Sequence, residues 1–160
     1  MTFLIYDSLT KKKQQFVPVD KNNVRVYACG PTVYNYAHVG NARMSVVTDL
    51  LIRVLKTIYK NVKFVSNITD VDDKIIEAAK KEKLKIEDIT SKFEKIYNQD
   101  MLELNVRLPD IQPRATEHIK EMIIMIEKLV KNQSAYTSND HVIFNVKKYK
   151  YYGVLSRRTK

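Results

Sequence analysis

The sequence predicts an α/β fold, and three consecutive segments carry this prediction. Residues Val24–Ala28 are a run of β-branched and aromatic side chains, and such near-continuous apolarity is typical of a buried parallel strand. From Asn41 to Tyr59, apolar side chains recur at the spacing of an amphipathic helix. Residues Asn61–Ile68 predict the next strand. Strand, helix and strand together form a βαβ unit with parallel strands.

The segments on either side of this unit predict a hairpin and two further helices. Before it, Phe3–Pro18 predicts a hairpin of two short strands with its turn at Lys11–Lys13. After it, a helix is predicted from Asp70 to Lys83, because acidic residues in a first turn favour the positive end of the helix dipole. A second helix follows from Ile86 to Leu104.

Segment Arg107–Pro113 is the clearest boundary in the chain, because its two prolines cannot sit inside a regular element. Beyond it, Thr116–Lys131 has the apolar periodicity of a strongly amphipathic helix. Residues Ala135–Thr137 and Val142–Val146 predict a second hairpin, which turns across Ser138–Asp140.

Composition restricts the class of protein and of partner. No apolar run approaches the ~18 residues that a membrane span needs, so we expect no membrane association. The single cysteine, Cys29, permits no internal disulfide, which fits a reducing cytoplasm. A net charge of +10, from 28 basic and 18 acidic residues, suits a polyanionic partner such as RNA, although lysine richness also follows from an AT-rich genome.

The loop between the first parallel strand and its helix has the layout of a nucleotide-phosphate site. In an open α/β sheet, ligands bind beyond the carboxyl ends of the strands, which places Cys29–Gly30 and Asn67–Asp70 on one rim. His38 can donate to a phosphate, Gly40 permits a nucleotide to approach the backbone, and the helix N-terminus adds positive potential. An isolated His-x-Gly is more often a loop histidine and a turn glycine, but the strand–loop–helix context favours the nucleotide site.

Cys29 permits two interpretations. A lone cysteine is most often a small buried hydrophobic side chain. At the end of a strand beside Gly30 it is instead expected to be an exposed thiol, and a thiolate is a good zinc ligand. The spacing to other donors does not complete a metal site, because His118 on a helix and His141 in a hairpin are both predicted to be surface residues.

The carboxylate-rich stretch Asn67–Lys74 resembles a metal or acid–base cluster, but a helix cap explains it equally well. In that interpretation Thr69 or Asp70 is the N-cap residue of the following helix. Thr69 also lies on the predicted rim beside Cys29, so we expect it to line a pocket there.

Five stretches of the chain, in a fixed order, carry a resemblance that covers nearly all of it. They are Cys29–Tyr34, His38–Asn41, Asn67–Lys74, Arg107–Asp110 with Pro113–Thr116, and Tyr152–Arg157. Together they resemble the N-terminal half of the cysteinyl-tRNA synthetases. The His-x-Gly signature alone indicates only a class I synthetase or a related nucleotidyl-transfer fold. The Cys-Gly-Pro-Thr-Val-Tyr block combined with Asp-Val-Asp-Asp-Lys is far more specific.

The resemblance implies a Rossmann-like nucleotide-binding fold. Residues 1–112 would be the first half of the catalytic domain, and residues 113–160 the start of an α+β connective insertion. It also implies ATP-dependent activation of L-cysteine, with Mg, to cysteinyl-adenylate, and transfer to the 3′-terminal ribose of tRNA(Cys). We therefore expect a cytoplasmic enzyme of protein biosynthesis, and a monomer.

The resemblance also assigns roles to residues by position. The first zinc ligand matches Cys29. The ATP-binding signature matches His38, Gly40 and Asn41, of which His38 and Asn41 are the catalytic candidates. The amino-acid pocket matches Gly30, Thr32 and Thr69. In this chemistry the substrate carboxylate attacks the α-phosphorus without any protein nucleophile, so catalysis is mostly positioning and electrostatics. Zinc would select cysteine over serine, because a coordinated thiol deprotonates where a hydroxyl does not.

Several parts of the family pattern are absent from these 160 residues. They are the Lys-Met-Ser-Lys-Ser loop, the remaining zinc ligands (a Cys, a His and a Glu in the family), the second half of the nucleotide-binding fold and the tRNA-binding helical domain. The resemblance therefore implies an incomplete, inactive N-terminal portion.

Two other functions remain open at this point. A cysteine ligase of the same fold that joins cysteine to an amino-sugar would use the same adenylate chemistry and zinc without tRNA. A non-catalytic fragment that binds a nucleotide or RNA would show saturable tRNA binding with steep salt dependence and no adenylate formation. A small nucleotidyltransferase with the same His-x-Gly signature is disfavoured, because the cysteine block has no role there.

We predict that the isolated chain does not activate cysteine, because much of the family's catalytic machinery is absent from it. ATP–pyrophosphate exchange measured with saturating cysteine and ATP should stay at the level of a blank without protein. Cysteine-dependent exchange above that blank would contradict the prediction.

Overall fold

The computed structural model describes residues 3–157, which contain six strands and four α-helices. In chain order these are β1 (Leu4–Asp7), β2 (Lys12–Gln15), β3 (Val24–Ala28), α1 (Val39–Ile58), β4 (Val62–Ser66), α2 (Asp73–Glu82), α3 (Ile86–Glu103), α4 (Ile119–Lys131), β5 (Ala135–Ser138) and β6 (His141–Phe144). A 3₁₀ turn at Ala115–His118 precedes α4. None of the helices in the described range is long and apolar enough to cross a membrane.

The described residues divide into two compact units. One comprises residues 18–117, and the other comprises residues 3–17 together with 118–157. The domain boundary expected after residue 112 stays a prediction.

The centre of the first unit is the parallel pair β3 and β4, which α1 connects. The register runs from Val24 opposite Val62 to Ala28 opposite Ser66. The predicted βαβ unit and the α/β class are therefore confirmed. Val24, at the start of β3, and Ser66, at the end of β4, are both buried, so the pair is anchored in the core at both ends. The two carboxyl ends lie side by side, with Ala28 opposite Ser66.

The proline-rich segment after α3 lies along the other edge of β4. The Ser66 and Ile68 N–H groups donate to the carbonyls of Ile111 (3.2 Å) and Pro113 (2.8 Å), and the Ala115 N–H donates to the carbonyl of Ile68 (3.0 Å). Proline lacks an N–H but keeps its carbonyl, so Pro113 can accept from Ile68, two residues after β4, although it cannot donate. The segment forms isolated bridges and no continuous strand, as its two prolines require.

Helix α3 supplies much of the core of this unit. It buries residues four positions apart, which places them on one face of the helix. The buried positions on that spacing are Ile89, Phe93, Tyr97 and Met101. Ile89 and Phe93 pack in one cluster with Val33, Ile68 and Ala79, and Tyr97 and Met101 in another with Val106. Because Val33 belongs to the loop after β3, that loop is anchored in the core.

The predicted N-cap of α2 is wrong. Neither Thr69 nor Asp70 caps the helix; Asp72 does, with its side chain accepting from the Lys74 N–H. The chain stays extended at Thr69, which pairs with Thr32, so the helix cannot begin there. Asp70 is buried and accepts instead from the N–H (3.0 Å) and the hydroxyl (2.5 Å) of Thr116.

In the second unit, the N-terminal hairpin forms with a different turn from the predicted one. Strands β1 and β2 pair with Asp7 opposite Lys12, so Lys12 and Lys13 lie in β2 and not in the turn. The turn closes instead at Lys11, whose φ of 57° is left-handed, while the Asp7 carboxylate accepts from the Leu9 N–H. An aspartate that caps its own turn outweighs the preference of a lysine triplet for solvent.

The C-terminal hairpin is confirmed. Strands β5 and β6 pair antiparallel and leave Asn139 and Asp140 as a two-residue turn. Both residues have positive φ, 47° and 61°, as a type I′ hairpin turn requires. Helix α4 begins three residues later than predicted, because the chain first passes through the 3₁₀ turn.

Where β3 and β4 end, the backbone of the next residues is unusually close. A Cβ added to Gly30 would lie 1.6 Å from the carbonyl oxygen of Asn67, which is far inside any real contact. The Gly30 N–H also donates to the Asn67 Oδ1 at 3.0 Å. Only glycine allows the two strand ends to meet in this way.

We predict that Gly30→Ala destabilises the fold by about 1–3 kcal/mol or more, because the new methyl group must displace backbone and not a flexible side chain. Urea unfolding followed by circular dichroism measures this loss. Gly40→Ala is the matched control: its Cβ would meet only the His38 ring, at 2.7 Å, and a ring can move. The helix propensity gained at position 40, about 1 kcal/mol, should offset much of that crowding. Equal losses for the two variants would contradict this account of Gly30.

Candidate functional site

An open cleft of about 460 Å³ lies at the carboxyl end of β3, where the loop leads into α1. Its wall is formed by residues 30–38 of that loop, by Asn41 of α1, and by Phe93 and Tyr97 of α3. No lining residue in the described part of the chain carries a carboxylate. The cleft therefore presents backbone, hydroxyl, amide and imidazole groups, which suit a negatively charged ligand.

His38 is the N-cap residue of α1 and forms a reciprocal cap with Asn41. The His38 Nδ1 accepts from the Gly40 N–H at 3.0 Å, and the Asn41 Oδ1 accepts from the His38 N–H at 3.1 Å. A neutral imidazole has one acceptor nitrogen and one donor nitrogen, so an accepting Nδ1 leaves the proton on Nε2. The fold thus selects the tautomer in which the exposed edge of the ring is a hydrogen-bond donor.

Gly40 does not line the cleft. It is exposed in the first turn of α1, and the atoms nearest to a Cβ at this position are Cε1 and Nδ1 of His38, at 2.7 and 3.0 Å. Glycine therefore makes room for the imidazole to fold back onto the helix end and accept from its N–H. Its effect on the cleft is indirect and acts through His38.

The two strand ends come together as predicted. Besides the Gly30 contact, the Thr69 N–H donates to the Pro31 carbonyl at 2.9 Å and the Val33 N–H donates to the Thr69 carbonyl at 3.2 Å. Gly30 and Thr32 line the cleft, whereas Thr69 pairs with Thr32 just outside the lining residues.

Cys29 is exposed on the rim, as expected, and its neighbour is Tyr27. Partial burial, followed by the neighbouring Cys29, raises the pKa of the Tyr27 phenol above its ordinary value. The Tyr27 hydroxyl also donates to the Asn67 Oδ1 at 2.8 Å. Cys29 and the strand ends therefore belong to one polar cluster.

The donors of a metal site are not assembled by the described residues. No group of three or more His, Cys, Asp or Glu side chains within residues 3–157 is placed to hold a metal ion. His118 and His141 are both exposed and belong to the other unit, as predicted for surface residues. Cys29 alone does not fit a zinc ion, which takes four ligands in structural sites and three protein ligands in catalytic ones.

Sequence reasoning missed the aromatic wall of the cleft. The Tyr36 ring meets the Phe93 ring edge to face, with centroids 5.3 Å apart, and Tyr36 is 64% exposed. The Tyr97 hydroxyl lies 2.8 Å from the Ser45 Oγ and so ties α3 to α1. Phe93 and Tyr97 had the apolar spacing of core residues, and nothing in that spacing indicated that they also border a cleft. Asn67 was likewise assigned no role of its own.

Comparison of the sequence with known proteins shows the family to which the chain is similar. Residues 15–160 match the family described as "tRNA synthetases class I (C) catalytic domain". Similar curated proteins named cysteine–tRNA ligase include those of Ehrlichia ruminantium (strain Gardel), 46% identical over 155 residues, Wolbachia pipientis subsp. Culex pipiens (strain wPip), 49% over 152, and Maricaulis maris (strain MCS10), 51% over 156.

These alignments cover 97%, 95% and 96% of this chain, but 34%, 33% and 34% of the three proteins, respectively. The chain thus spans about a third of the length of the curated relatives that it matches. The family match includes the loop of the cleft, the paired strand ends and all of the unit at residues 18–117, and it leaves out most of the N-terminal hairpin. The chain belongs to the family of class I (C) tRNA synthetase catalytic domains.

Proposed function

We propose that the chain is the N-terminal catalytic portion of a cysteine–tRNA ligase, which activates L-cysteine with ATP to cysteinyl-adenylate and transfers it to tRNA(Cys). The observation that carries the proposal is the reciprocal His38–Asn41 cap, because both residues line the cleft at the carboxyl end of β3. The names of the similar proteins support the same reaction.

The residues at the start of α1 bind the phosphates of ATP. The positive end of the helix dipole and the outward Nε2–H of His38 both favour negative charge. As the cysteine carboxylate attacks the α-phosphorus, charge develops on the phosphate oxygens and on the leaving pyrophosphate, and these groups stabilise it. Asn41 holds His38 in place and itself lines the cleft. Mg accompanies the ATP.

The residues at the paired strand ends bind the cysteine substrate. Gly30, Thr32 and Thr69 surround the point where β3 and β4 stop, next to the cleft. Cys29 would supply one thiolate ligand to a zinc ion, whose remaining ligands would have to come from residues outside this chain. A single donor supports no step through the metal, so the residues here are assigned only to binding and orienting cysteine.

The wider setting follows the family. The parallel βαβ unit is the first half of a Rossmann-like catalytic domain, and residues 113–160 begin a connective insertion. The enzyme is a cytoplasmic monomer whose excess of 10 positive charges favours the tRNA backbone. The names of the relatives favour tRNA over an amino-sugar as acceptor, and over a non-catalytic fragment.

Substitution of His38 tests the proposal in a ligase of the relatives' full length that carries this segment. His38→Asn keeps a side-chain acceptor at the N-cap but removes the Nε2–H, whereas His38→Ala removes both. Each should lower kcat for cysteine-dependent ATP–pyrophosphate exchange by about 10²-fold or more, the usual effect of losing one donor to a developing charge.

Thermal unfolding separates catalysis from folding. Only His38→Ala should also lose about 1 kcal/mol of stability, because asparagine is as good an N-cap as any residue. Undiminished exchange in the His38→Asn variant would refute the catalytic role of the imidazole, and absence of exchange in the unsubstituted ligase would refute the proposed reaction.

A further inference from the structure

The side chain of Asn67 connects the groups at the two strand ends. Its Oδ1 accepts from the Gly30 N–H at 3.0 Å and from the Tyr27 hydroxyl at 2.8 Å. Its Nδ2 donates to the Thr69 Oγ1 at 3.1 Å. One amide therefore contacts Tyr27, two residues before Cys29, Gly30, directly after Cys29, and Thr69, which pairs with Thr32.

The direction of these hydrogen bonds is determined by the backbone. The Gly30 N–H can only donate, so the amide atom that faces it must be the oxygen. The other amide atom is then the nitrogen, which can only donate. Consequently the Thr69 oxygen must accept from Asn67, and no alternative orientation of the amide satisfies the same neighbours.

This direction leaves the hydroxyl hydrogen of Thr69 available. Because the hydroxyl accepts from Asn67, its own hydrogen must find another acceptor. Within residues 3–157 the Thr69 hydroxyl has no other hydrogen-bond partner. Thr69 is half-buried and pairs with Thr32, which lines the cleft.

We propose that Asn67 is a positioning residue for the amino-acid substrate: it holds Thr69 as a hydrogen-bond donor toward an anionic atom of bound cysteine, while it fixes Gly30 beneath the same site. The proposal rests on the proposed function. The anionic atom is either the carboxylate or the thiolate, and both accept from a hydroxyl.

Asn67→Asp reverses the direction of the hydrogen bond between residue 67 and the Thr69 hydroxyl, with almost no change in the shape of the side chain. A carboxylate still accepts from the Gly30 N–H and the Tyr27 hydroxyl, but its second oxygen cannot donate. The Thr69 hydroxyl then turns and donates to that oxygen, and its hydrogen is lost to the substrate. A hydrogen bond to a charged group is worth enough that the KM for cysteine should rise about tenfold or more.

The experiment measures ATP–pyrophosphate exchange in a ligase of the relatives' full length that carries this segment. For N67D we expect the KM for cysteine to rise and the KM for ATP to stay within about twofold, since a hydrogen bond of this kind contributes only where it is made. Asn61→Asp is the matched control: Asn61 lies at the other end of β4, where its Nδ2 donates to the Asn22 carbonyl at 2.9 Å. It makes the same change of charge away from the cleft and should alter neither KM.

A double-mutant cycle with Thr69→Val separates this mechanism from simple charge repulsion. If Asn67 acts through the Thr69 hydroxyl, N67D adds little to the cysteine KM once that hydroxyl is gone. Thr69→Ser keeps the hydroxyl, so its cysteine KM should lie closer to that of the unsubstituted ligase than the KM of Thr69→Val does, and this comparison remains informative if N67D does not fold.

Inhibition by cysteamine, which lacks the carboxylate, shows which substrate atom accepts from the Thr69 hydroxyl. N67D weakens the inhibition only if that atom is the thiolate sulfur.

Three results would overturn the proposal: an unchanged cysteine KM in N67D, equal rises in the KM values for cysteine and ATP, or additive effects of N67D and Thr69→Val. Each of these requires that the unsubstituted ligase shows cysteine-dependent exchange. Its absence would instead refute the proposed function, so the two failures are distinguishable.

Discussion

The contact between Gly30 and the backbone of Asn67 is the constraint on which the candidate site depends. Two parallel strands normally diverge into their loops, but here a missing side chain lets the chain after β3 lie against the carbonyl that follows β4. That approach brings Cys29 and Thr69 to one rim and directs the loop after Gly30 across the start of α1. A methyl group at position 30 would separate the two strand ends and displace Gly30, which itself lines the cleft.

At the start of α1, two side chains each contribute both to the helix cap and to the cleft. The His38 imidazole completes the helix cap with one nitrogen and thereby presents the other as a donor. Asn41 satisfies the N–H of His38 and also borders the cleft. The two residues that cap the helix therefore also line the cleft, so a change in either residue affects both the fold and the cleft.

Much of this molecule was predictable from local patterns. The apolar runs and the helical periodicity located β3, α1, β4 and α3 to within a few residues, because those patterns report burial and regular geometry. Prediction failed at two places for different reasons. Asp70 was expected to cap a helix but accepts from Thr116, 46 residues away, so a long-range partner outweighed a local preference. In the first hairpin a local contact decided: Asp7 accepts from the Leu9 N–H, and the turn closes before Lys12 and Lys13.

The sequence by itself determined the α/β class, the location of the loop and the residue types on which the prediction of a nucleotide site rests, because glycine, histidine and capping residues act through neighbours along the chain. Only the tertiary structure decided how these residues are oriented. The direction of the Asn67 amide follows from Gly30, which lies 37 positions earlier in the chain, and the aromatic wall follows from the packing of α3 against the loop. Hydrogen-bond polarity and cleft shape depend on groups that are distant in sequence, so they appear only when the strand ends meet.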